Sequence, residues 1–550
     1  MNNLIVQYRN FNPLTVALQT ALLLIVSWYP IGFPLFLLYA FVPLLLWEEK
    51  LLAKSRIEGN QTRKVFLYSF IAFSLFNLAR GWWVAMSGWF LIVLPFFNAM
   101  LMALVFVLYH LFRLTFRHRK ATILMFPVLW VMFENINTHW DLNFPWFNLG
   151  NGFANYPMLV QWYELTGASG GTLWITLTNA FIAIMIISIR TYEMYLRYIA
   201  MVFLLVFGPV VSSLCRYWSY TPDMSKPVDV VLLQPNLDPY KDQYSLSADS
   251  VSTILLNMAK ERVDKNTDYV VAPESCLQEY AWEERLSQVN SIQRILDFNA
   301  NYPRLNWIAG MSTRHLLPPG QKTEAARYIR GTDSVFYECS NVALQIGQPN
   351  QDYNIRLRRK SYLTPGVEKM PFKKYIPFME KLALNMGGTV GTLAKDSLIF
   401  PFYNTNTGIK SGVSICYESV EGNLVRKFVL GGAEILFCIT NDGWWGNTQG
   451  YRQHKAMSRL RAIENRRYVC RAANTGTSIF IDPSGNIIDQ SAYWKRQSLK
   501  ATVYLQENKT FYAKHGDYII YIIDIVFAFV MIYVPCRIAY LRKKRAKTQK

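Results

Sequence analysis

The sequence has little charge and no clustered metal ligands. Charged residues make up only 17% of its 550 residues and hydrophobic residues 52%, a balance that argues against a typical soluble enzyme. Its cysteines form neither CxxC pairs nor His-Cys clusters, so we predict no zinc site, no other metal and no cofactor. Because their number is odd, at least one thiol has no disulfide partner within the chain. The seven are Cys215, Cys276, Cys339, Cys416, Cys438, Cys470 and Cys536.

Acidic residues are also scarce relative to basic ones. The chain has 57 lysines and arginines against 37 acidic residues, a net charge of +20. Such an excess is typical of nucleic-acid binding, of contact with anionic lipid or of cytoplasmic loops in a membrane protein. The densest basic cluster, Leu541–Lys550, directly follows an apolar segment, and no nucleic-acid-binding motif is recognisable. The charge therefore indicates a protein embedded in a lipid bilayer, without a nucleic-acid partner.

Long apolar stretches recur through the first part of the chain and once near its end. Most approach the length that a helix needs to cross a hydrocarbon core of about 30 Å. We predict about eight transmembrane helices, the first two of which are split around Tyr29 and Pro30. The stretches lie at about 14–29, 32–47, 65–80, 87–112, 121–135, 172–189, 198–214 and 517–540.

The positions of lysine and arginine predict how these spans are oriented. Basic residues follow the second, fourth and sixth spans, and none occurs between Ile136 and Gly171. Because positively charged loops stay in the cytoplasm, the amino terminus and the basic tail are predicted to be cytoplasmic. The predicted domains are therefore a transmembrane region at 1–220, an extracytoplasmic domain at 221–512, and a final span with its cytoplasmic tail at 513–550.

The region 221–512 has the pattern of a globular α/β domain. Its apolar runs shrink to strand length, and turn signals such as "DPSGN" separate them. Strands alternating with helical patterns predict an α/β fold. Predicted strands lie at 228–236, 268–275, 306–313, 334–347, 408–418, 433–442 and 477–485, and predicted helices at 246–265, 281–299, 419–431 and 450–466.

Reactive side chains occur at or between the strand-like segments of this domain. "APES" ends near Glu274, "RRKSYL" supplies Lys360, and "SICYES" carries Cys416. Sites of open α/β sheets assemble at the carboxyl ends of strands. There, Glu274 would act as general base on the Cys416 thiol, and the Lys360 ammonium would stabilise the oxyanion that forms next. Taken singly, each has an ordinary alternative, since buried cysteines such as Cys438 are usually inert.

The motifs around these residues resemble a known enzyme superfamily. "VVAPES", "RRKSYLTPGVE", "GVSICYE" and then "TNDGWWGNT" look like the nitrilase superfamily, which uses a Glu-Lys-Cys triad on an α-β-β-α sandwich. The membrane spans, "FPWFNLGNGF" in an outer loop and "RLRAIENRRYVCRAANTGTSIFIDPSG" narrow the resemblance to the bacterial apolipoprotein N-acyltransferases. The similarity covers nearly the whole chain.

This resemblance implies a two-step acyl transfer at the periplasmic side of the bacterial inner membrane. Cys416 would attack the acyl ester of a membrane phospholipid and form a thioester. The α-amino group of the diacylglyceryl-cysteine at a lipoprotein's amino terminus would then take the acyl chain. In both steps Glu274 would act as the base and Lys360 would stabilise the oxyanion. The implied partners are the phospholipid donor, diacylglyceryl-modified apolipoproteins and the lipid bilayer.

Supporting residues are also predicted around this triad. Glu368 matches a further acid of the family, and Glu418 follows Cys416 in its Cys-Tyr-Glu motif. We expect Glu418 to balance the buried Lys360 ammonium; the alternative is a pair with a structural arginine. Substrate contacts are predicted for Tyr417, Trp444 and Trp445, although both tryptophans would also suit an ordinary core.

Three alternatives remain open at this stage. A Cys-His mechanism would use His454, which we expect instead to be a surface residue on a polar helix. A membrane-anchored nitrilase or amidase hydrolysing a small amide would use the same triad, but it needs no more than one anchoring span. A transporter or receptor would predict paired charges inside the spans, where Glu134 is the main candidate.

Overall fold

The structure is a computed structural model that describes residues 12–55, 57–116, 120–243, 245–329, 331, 335–349, 354–372, 375 and 391–548. The chain divides into two compact units. The helical unit spans Met1–Ala85, Trp89–Trp218 and Asp517–Lys550, and the α/β unit spans Met86–Gly88 and Ser219–Gly516. In chain order, helices α1 to α13 are Pro13–Ser27, Val42–Lys54, Thr62–Gly81, Val93–Phe116, Met125–His139, Tyr163–Ser188, Tyr192–Ser219, Ala248–Lys260, Asn290–Asn299, Gly422–Leu430, Gln449–Asn465, Phe511–His515 and Tyr518–Thr548.

The helical unit contains membrane-length helices. Within the described residues six helical segments are long and apolar enough to cross a membrane: Thr62–Ser87, Trp89–Phe116, Lys120–His139, Tyr163–Ser188, Tyr192–Ser219 and Tyr518–Arg537. The first two predicted spans occur as the shorter helices α1 and α2. Pro30 and Pro34 lie between them, and proline interrupts a helix because it lacks the backbone N–H. The described residues therefore contain six helices of membrane-spanning length, fewer than the eight spans predicted.

A buried ionic cluster ties α2 to α4. Glu48, His110 and Arg113 are fully buried. The Arg113 guanidinium donates to the carboxylates of Glu48 and Glu49, and His110 Nδ1 lies 2.7 Å from Glu48 Oε1. Buried charges occur almost only when they are paired, so this cluster fixes how the two helices pack.

Glu134, the acid singled out inside the predicted spans, has a local structural role. Its carboxylate accepts hydrogen bonds from Trp130 Nε1 at 3.1 Å, Thr172 Oγ1 at 2.6 Å and the Leu149 backbone N–H at 2.7 Å. These bonds join α5 to α6 and to the turn that carries "NLGNGF". This accounts for Glu134 without a transported ion.

The α/β unit is built on two sheets. In chain order, strands β1 to β14 are Pro227–Gln234, Thr267–Val271, Leu277–Trp282, Asn306–Leu316, Arg327–Tyr328, Phe336–Ile346, Ile355–Arg359, Phe402–Tyr403, Lys410–Ile415, Ile435–Thr440, Val469–Ala473, Ile479–Ile481, Ile487–Gln490 and Gln497–Tyr504. One sheet has the order β14-β1-β2-β4-β6-β5, with β3 paired to β4 and β7 to β6. The other has the order β13-β12-β11-β10-β9-β8.

Three apolar layers hold these sheets and their helices together. Between the sheets, Val230 of β1 belongs to the same buried cluster as Val413 of β9 and Phe437 of β10. On the outer face of the first sheet, Val231 packs with residues of α8 and α9. On the outer face of the second, α10 and α11 pack against Leu436 and Ile479. Strands buried on both faces read as continuous apolar runs, and the predicted α-β-β-α sandwich is confirmed.

One predicted helix is wrong over its first half. The pattern at 281–299 predicts a single helix, but Leu277–Trp282 forms β3, a short 3-10 turn covers Glu283–Gln288, and α9 begins only at Asn290. Leu277 and Ala281 are buried, whereas Tyr280 between them is exposed. This spacing suits a strand with a register shift as well as a helix, and pairing with β4 decides in favour of the strand.

Candidate active site

Strand ends bring the predicted catalytic side chains together. Lys360 directly follows β7, Cys416 directly follows β9, and Glu274 lies shortly after β2 ends at Val271. The charges of Glu274 and Lys360 both act on the pKa of the Cys416 thiol, so the three groups form one electrostatic unit. The side chains of Glu274 and Lys360 are in contact, with Nζ 3.2 Å from Oε1.

A glycine in β4 lets the Glu274 segment approach the sheet closely. The Gly310 backbone N–H donates to the Pro273 carbonyl at 3.0 Å. A Cβ atom at Gly310 would lie 2.5 Å from the Glu274 Cα, much closer than two such atoms can approach. Glycine is therefore required here, because any side chain would displace the backbone that carries Glu274.

The Lys360 ammonium lies between two carboxylates. Its Nζ is 3.2 Å from Glu274 Oε1 and 2.8 Å from Glu368 Oε2. All three side chains are buried, and Lys360 is only 1% exposed. An unpaired ammonium at such a depth would lose its proton, so the two acids keep it charged.

Two asparagines that the sequence did not single out hold these carboxylates in place. Asn341 of β6 donates from Nδ2 to Oε1 of both Glu274 and Glu368, each at 2.8 Å. The Asn441 backbone N–H donates to Glu274 Oε2 at 3.2 Å, and the Thr364 N–H donates to Glu368 Oε2 at 2.9 Å. Each carboxylate is thus fixed by an amide as well as by the ammonium.

The two carboxylates differ in basicity although they share one ammonium. Burial raises the pKa of Glu274, the charge on Lys360 opposes this, and repulsion from Glu368 adds to the rise. Burial acts in the same direction on Glu368, but the charge and hydrogen bonds of Lys360 outweigh it, so the pKa of Glu368 is lowered. Glu368 is therefore the permanent counter-ion, and Glu274 is the stronger base.

The pKa values of the neighbouring lysine and thiol are both raised, which keeps the lysine charged and the thiol neutral. Burial favours the neutral amine of Lys360, but Glu274 and Glu368 outweigh it and raise the pKa of Lys360 above its usual range. Burial also raises the pKa of the Cys416 thiol, Glu274 adds to this by repulsion, and Lys360 opposes it. The resting site thus contains a neutral thiol, so Cys416 needs a base at the moment it attacks.

Cys416 occupies a strained turn between β9 and a 3-10 segment. Its φ angle is 50°, in the left-handed region where residues with a side chain are uncommon. Such a conformation costs of order 1–3 kcal/mol and persists only where surrounding contacts enforce it. The turn leaves Cys416 half-buried, whereas Cys276, Cys438 and Cys470 are fully buried.

Glu418 has a different partner from the one expected. Its carboxylate is bonded to the Arg358 guanidinium, including a 3.1 Å bond from Nη1, and accepts from the backbone N–H groups of Ser361 at 2.6 Å and Ile415 at 2.8 Å. The counter-charges of Lys360 are Glu274 and Glu368. Glu418 therefore joins the turn after β7 to the turn after β9. Its partner is a structural arginine, as in the alternative prediction, and not Lys360.

The three predicted substrate contacts have different surroundings. Tyr417 is buried and stacks on Tyr362, with ring centroids 5.8 Å apart. Trp444 is half-buried and meets Tyr240 edge to face at 5.3 Å. Trp445, also half-buried, contacts the His454 ring at 5.7 Å. All three remain candidates for substrate contacts, and Tyr417 is the most buried of them.

The expectation that His454 lies on the surface is wrong. It is fully buried on α11, with Nε2 2.9 Å from Ser419 Oγ and 3.1 Å from the Cys416 carbonyl oxygen. Burial and the charge of Arg471 lower the pKa of His454, and Asp442 opposes them. A helix rich in polar residues looks exposed in sequence, but most of α11 is buried because its polar side chains have partners inside the domain.

The charged groups of the site are arranged around an ammonium rather than a metal. Within the part of the chain that the structure describes, no group of three or more His, Cys, Asp or Glu side chains is placed to hold a metal ion. Lys360 already lies between Glu274 and Glu368, where a cation would otherwise be expected. The arrangement suits nucleophilic catalysis by a thiol, with a carboxylate as base and an ammonium beside the reacting atoms.

Comparison with known proteins matches two separate parts of the chain to two different families. Residues 20–181 match the apolipoprotein N-acyltransferase N-terminal domain, and residues 232–511 match the carbon-nitrogen hydrolase family. An apolipoprotein N-acyltransferase of Chlorobaculum tepidum is 27% identical over 458 residues, which cover 82% of this chain and 84% of that protein. One of Vibrio parahaemolyticus is 24% identical and covers 88% of this chain and 92% of its own length.

Among solved structures, Nit3 of Saccharomyces cerevisiae, a member of branch 10 of the nitrilase superfamily, is similar with a TM-score of 0.35 and 17% identity, over 52% of this chain and 92% of Nit3. The carbon-nitrogen hydrolase match covers about half of the chain and includes Glu274, Lys360 and Cys416. The chain therefore belongs to the carbon-nitrogen hydrolase family, and its residues 20–181 also match the amino-terminal domain of apolipoprotein N-acyltransferases.

Proposed function

We propose that this protein is an apolipoprotein N-acyltransferase that works through a thioester on Cys416. The observation that carries the proposal is the cluster of Cys416, Glu274, Lys360 and Glu368 in a chain that also has membrane-length helices and the matching amino-terminal domain. The proposed location is the bacterial inner membrane, with the α/β unit on the periplasmic side, because lysine and arginine concentrate in the loops that would be cytoplasmic.

In the first step Glu274 accepts the thiol proton as Cys416 Sγ attacks the ester carbonyl of a phospholipid. The carbonyl oxygen becomes an oxyanion beside the Lys360 ammonium, which stabilises it. The ester C–O bond then breaks, the leaving alkoxide takes the proton from Glu274, and a lysophospholipid departs. Glu368 and Asn341 contribute by holding Lys360 and Glu274 in place.

In the second step the α-amino group of a diacylglyceryl-cysteine attacks the thioester carbonyl. The amine gives its proton to Glu274, and Lys360 again stabilises the oxyanion. The C–S bond breaks, and the thiolate recovers the proton from Glu274. The raised pKa of Glu274 suits both steps, because the same group must take up a proton and return it.

A transfer assay tests this proposal. The purified full-length protein is incubated with phospholipid vesicles and a synthetic lipopeptide that begins with diacylglyceryl-cysteine. We expect the lipopeptide to gain one amide-linked acyl chain with the wild type and none with Cys416→Ala. Cys470→Ala is the matched control, since Cys470 is a buried thiol outside the triad and burial alone shifts its pKa. Hydrolysis of a small amide without any acylated lipopeptide would instead identify a membrane-anchored amidase.

A further inference from the structure

His454 contacts the main chain of Cys416 and has no part in the two proposed chemical steps. The Cys416 carbonyl accepts a hydrogen bond from Ser419 Oγ at 2.8 Å and lies 3.1 Å from His454 Nε2. A carbonyl oxygen can only accept, so this contact requires the ring proton to be on Nε2. His454 Nδ1 then accepts from the Arg471 guanidinium, whose Nη2 lies 3.0 Å away.

A buried network fixes the His454 ring from the other side. Arg471 Nη2 donates both to His454 Nδ1 and to Asp442 Oδ2, the latter at 2.7 Å, and this shared donor holds the ring nitrogen 2.9 Å from Asp442 Oδ1. Thr440 Oγ1 donates to Asp442 Oδ1 at 2.9 Å. The network thus connects the end of β10, the strand β11 and the helix α11, and each of these residues is almost completely buried.

The contacted carbonyl belongs to the residue with the strained backbone. The φ angle of Cys416 is 50°, so its carbonyl and its side chain point in directions that an ordinary strand end would not give. A left-handed conformation at a residue with a side chain relaxes unless neighbouring groups hold it. The Ser419 hydroxyl and the His454 imidazole are the side chains that contact this carbonyl in the described structure.

We propose that His454 is a positioning residue that holds the Cys416 carbonyl, and with it the left-handed turn that presents the Cys416 thiol to Glu274 and Lys360. The inference rests on the proposed role of Cys416 as nucleophile. Asp442 and Arg471 act through His454 by fixing the plane of its ring. The imidazole itself takes no proton from the thiol.

The first test measures thioester formation on the full-length protein. We expect His454→Ala to lower the rate constant at saturating phospholipid at least tenfold, with KM changed by less than about threefold, because the reacting atoms and not the donor site are displaced. His454→Gln, whose amide nitrogen reaches the place of Nε2, is expected to recover most of the rate. Ser419→Ala removes the other donor to the same carbonyl and should lower the rate in the same way if His454→Ala does not fold.

Met457→Ala is the matched control, because Met457 is a fully buried residue of the same helix that belongs to none of these hydrogen bonds. Each variant is compared at a temperature the same interval below its own Tm. An equal loss of rate in Met457→Ala and His454→Ala, or no recovery in His454→Gln, would show that His454 only packs the helix and would overturn the inference.

A second test needs no acyl donor, so its failure is distinguishable from failure of the proposed function. Alkylation of Cys416 by iodoacetamide is followed against pH by peptide mass, with the exposed Cys215 and Cys536 replaced by serine. The groups that act on this thiol are Glu274, Lys360 and Asp442. In His454→Ala the thiol moves away from Glu274, and the apparent pKa of alkylation falls towards that of an ordinary thiol. An apparent pKa unchanged from that of wild type and Met457→Ala would contradict the positioning role.

Discussion

Glu274 and Glu368 are chemically identical side chains that the structure makes different. Both contact the Lys360 ammonium and the Asn341 amide, yet the pKa of Glu274 is raised and that of Glu368 is lowered. Burial raises the pKa of both carboxylates, and the charge and hydrogen bonds of the Lys360 ammonium outweigh this rise at Glu368 but not at Glu274. A site that must pass one proton back and forth needs this asymmetry, because two equally acidic carboxylates would both stay ionised and neither would accept the proton readily.

This asymmetry predicts a shift in the pH dependence of acyl transfer. Glu274 must be ionised to act as base, and its pKa is raised, so the rate falls with decreasing pH at a higher pH than an ordinary glutamate would give. Glu368→Gln removes the carboxylate repulsion that adds to the pKa of Glu274. It also leaves Glu274 as the carboxylate that pairs with the Lys360 ammonium. We expect the acid limb of the rate profile to move to lower pH in Glu368→Gln, measured as thioester formation in single turnovers.

The control for this shift is Glu274→Gln, which removes the base itself and should lower the rate about 10²–10⁴-fold at every pH tested. An acid limb in the same position in Glu368→Gln and wild type would mean that Glu274 is not the group being titrated.

At the residue scale, the triad could be predicted from sequence but its partners could not. Glu274 and Cys416 follow recognisable strands, and reactive groups collect at strand ends. In sequence Asn341 looks like any other residue of β6. No nearby pattern indicates that it donates hydrogen bonds to Glu274 and Glu368. Arg358 lies 60 residues before Glu418, so their pairing depends on tertiary structure that the local pattern does not contain.

The turns after β7 and β9 are joined by the buried pair of Arg358 and Glu418, which leads to a prediction about stability. Arg358 is 1% exposed, and Glu418→Gln would leave its charge buried without a carboxylate. Removing one partner of a buried pair costs about 3–5 kcal/mol. We expect Glu418→Gln to lower the free energy of unfolding by about 3 kcal/mol, measured by chemical denaturation in detergent.

Glu274→Gln provides the comparison for this measurement. Because the pKa of Glu274 is raised and Lys360 keeps Glu368 as its counter-ion, replacing Glu274 with a neutral amide should cost less stability than Glu418→Gln does. Equal destabilisation by the two variants would contradict the separate roles given to these acids.

The close approach of β4 to the Glu274 segment leads to a prediction about rate. Gly310→Ala places a Cβ atom 2.5 Å from the Glu274 Cα, so the backbone that carries the base must move. We expect a loss of at least tenfold in thioester formation, since displacements of about 1 Å can cost 10²-fold. Gly347→Ala is the control, because the atom nearest to its Cβ is a side-chain oxygen of Asn306, at 3.2 Å, and the Asn354 backbone lies at an ordinary contact distance of 3.5 Å. A normal rate in Gly310→Ala would show that Glu274 does not need this position.

At the element scale, strands with long apolar runs could be predicted and strands with polar or mixed composition could not. The runs of β1, β9 and β10 are buried on both faces and stand out in sequence. β11 was missed because Arg471 interrupts its short run, and that arginine is buried only because Asp442 pairs with it. β14 was missed because its polar and apolar residues give no clear run, and pairing along the whole length of β1 makes it a strand.

The whole chain combines a helical unit with an α/β unit. The six membrane-length segments and the uneven distribution of lysine and arginine lead to one proposed topology, with the basic tail in the cytoplasm and the α/β unit outside it. The number of spans was predicted only approximately, because an apolar run shows that a segment is buried but not whether prolines split it into shorter helices.

A labelling experiment tests this topology. In a background with Cys215 and Cys536 replaced by serine, a new cysteine is introduced either by Gln321→Cys, at an exposed site of the α/β unit, or by Thr548→Cys, near the end of the basic tail. In right-side-out membrane vesicles a membrane-impermeant maleimide should label Gln321→Cys and leave Thr548→Cys unlabelled until detergent is added. Labelling of Thr548→Cys in intact vesicles would reverse the proposed orientation.

In the proposed reaction, Cys416 carries the acyl chain between donor and acceptor. Its most direct test is the intact mass of the full-length protein after incubation with phospholipid vesicles in the absence of any acceptor. We expect a mass increase of one acyl chain, which hydroxylamine removes and which Cys416→Ala does not show. An unmodified wild-type protein under conditions that support transfer, or an acyl chain attached to Cys416→Ala, would contradict it.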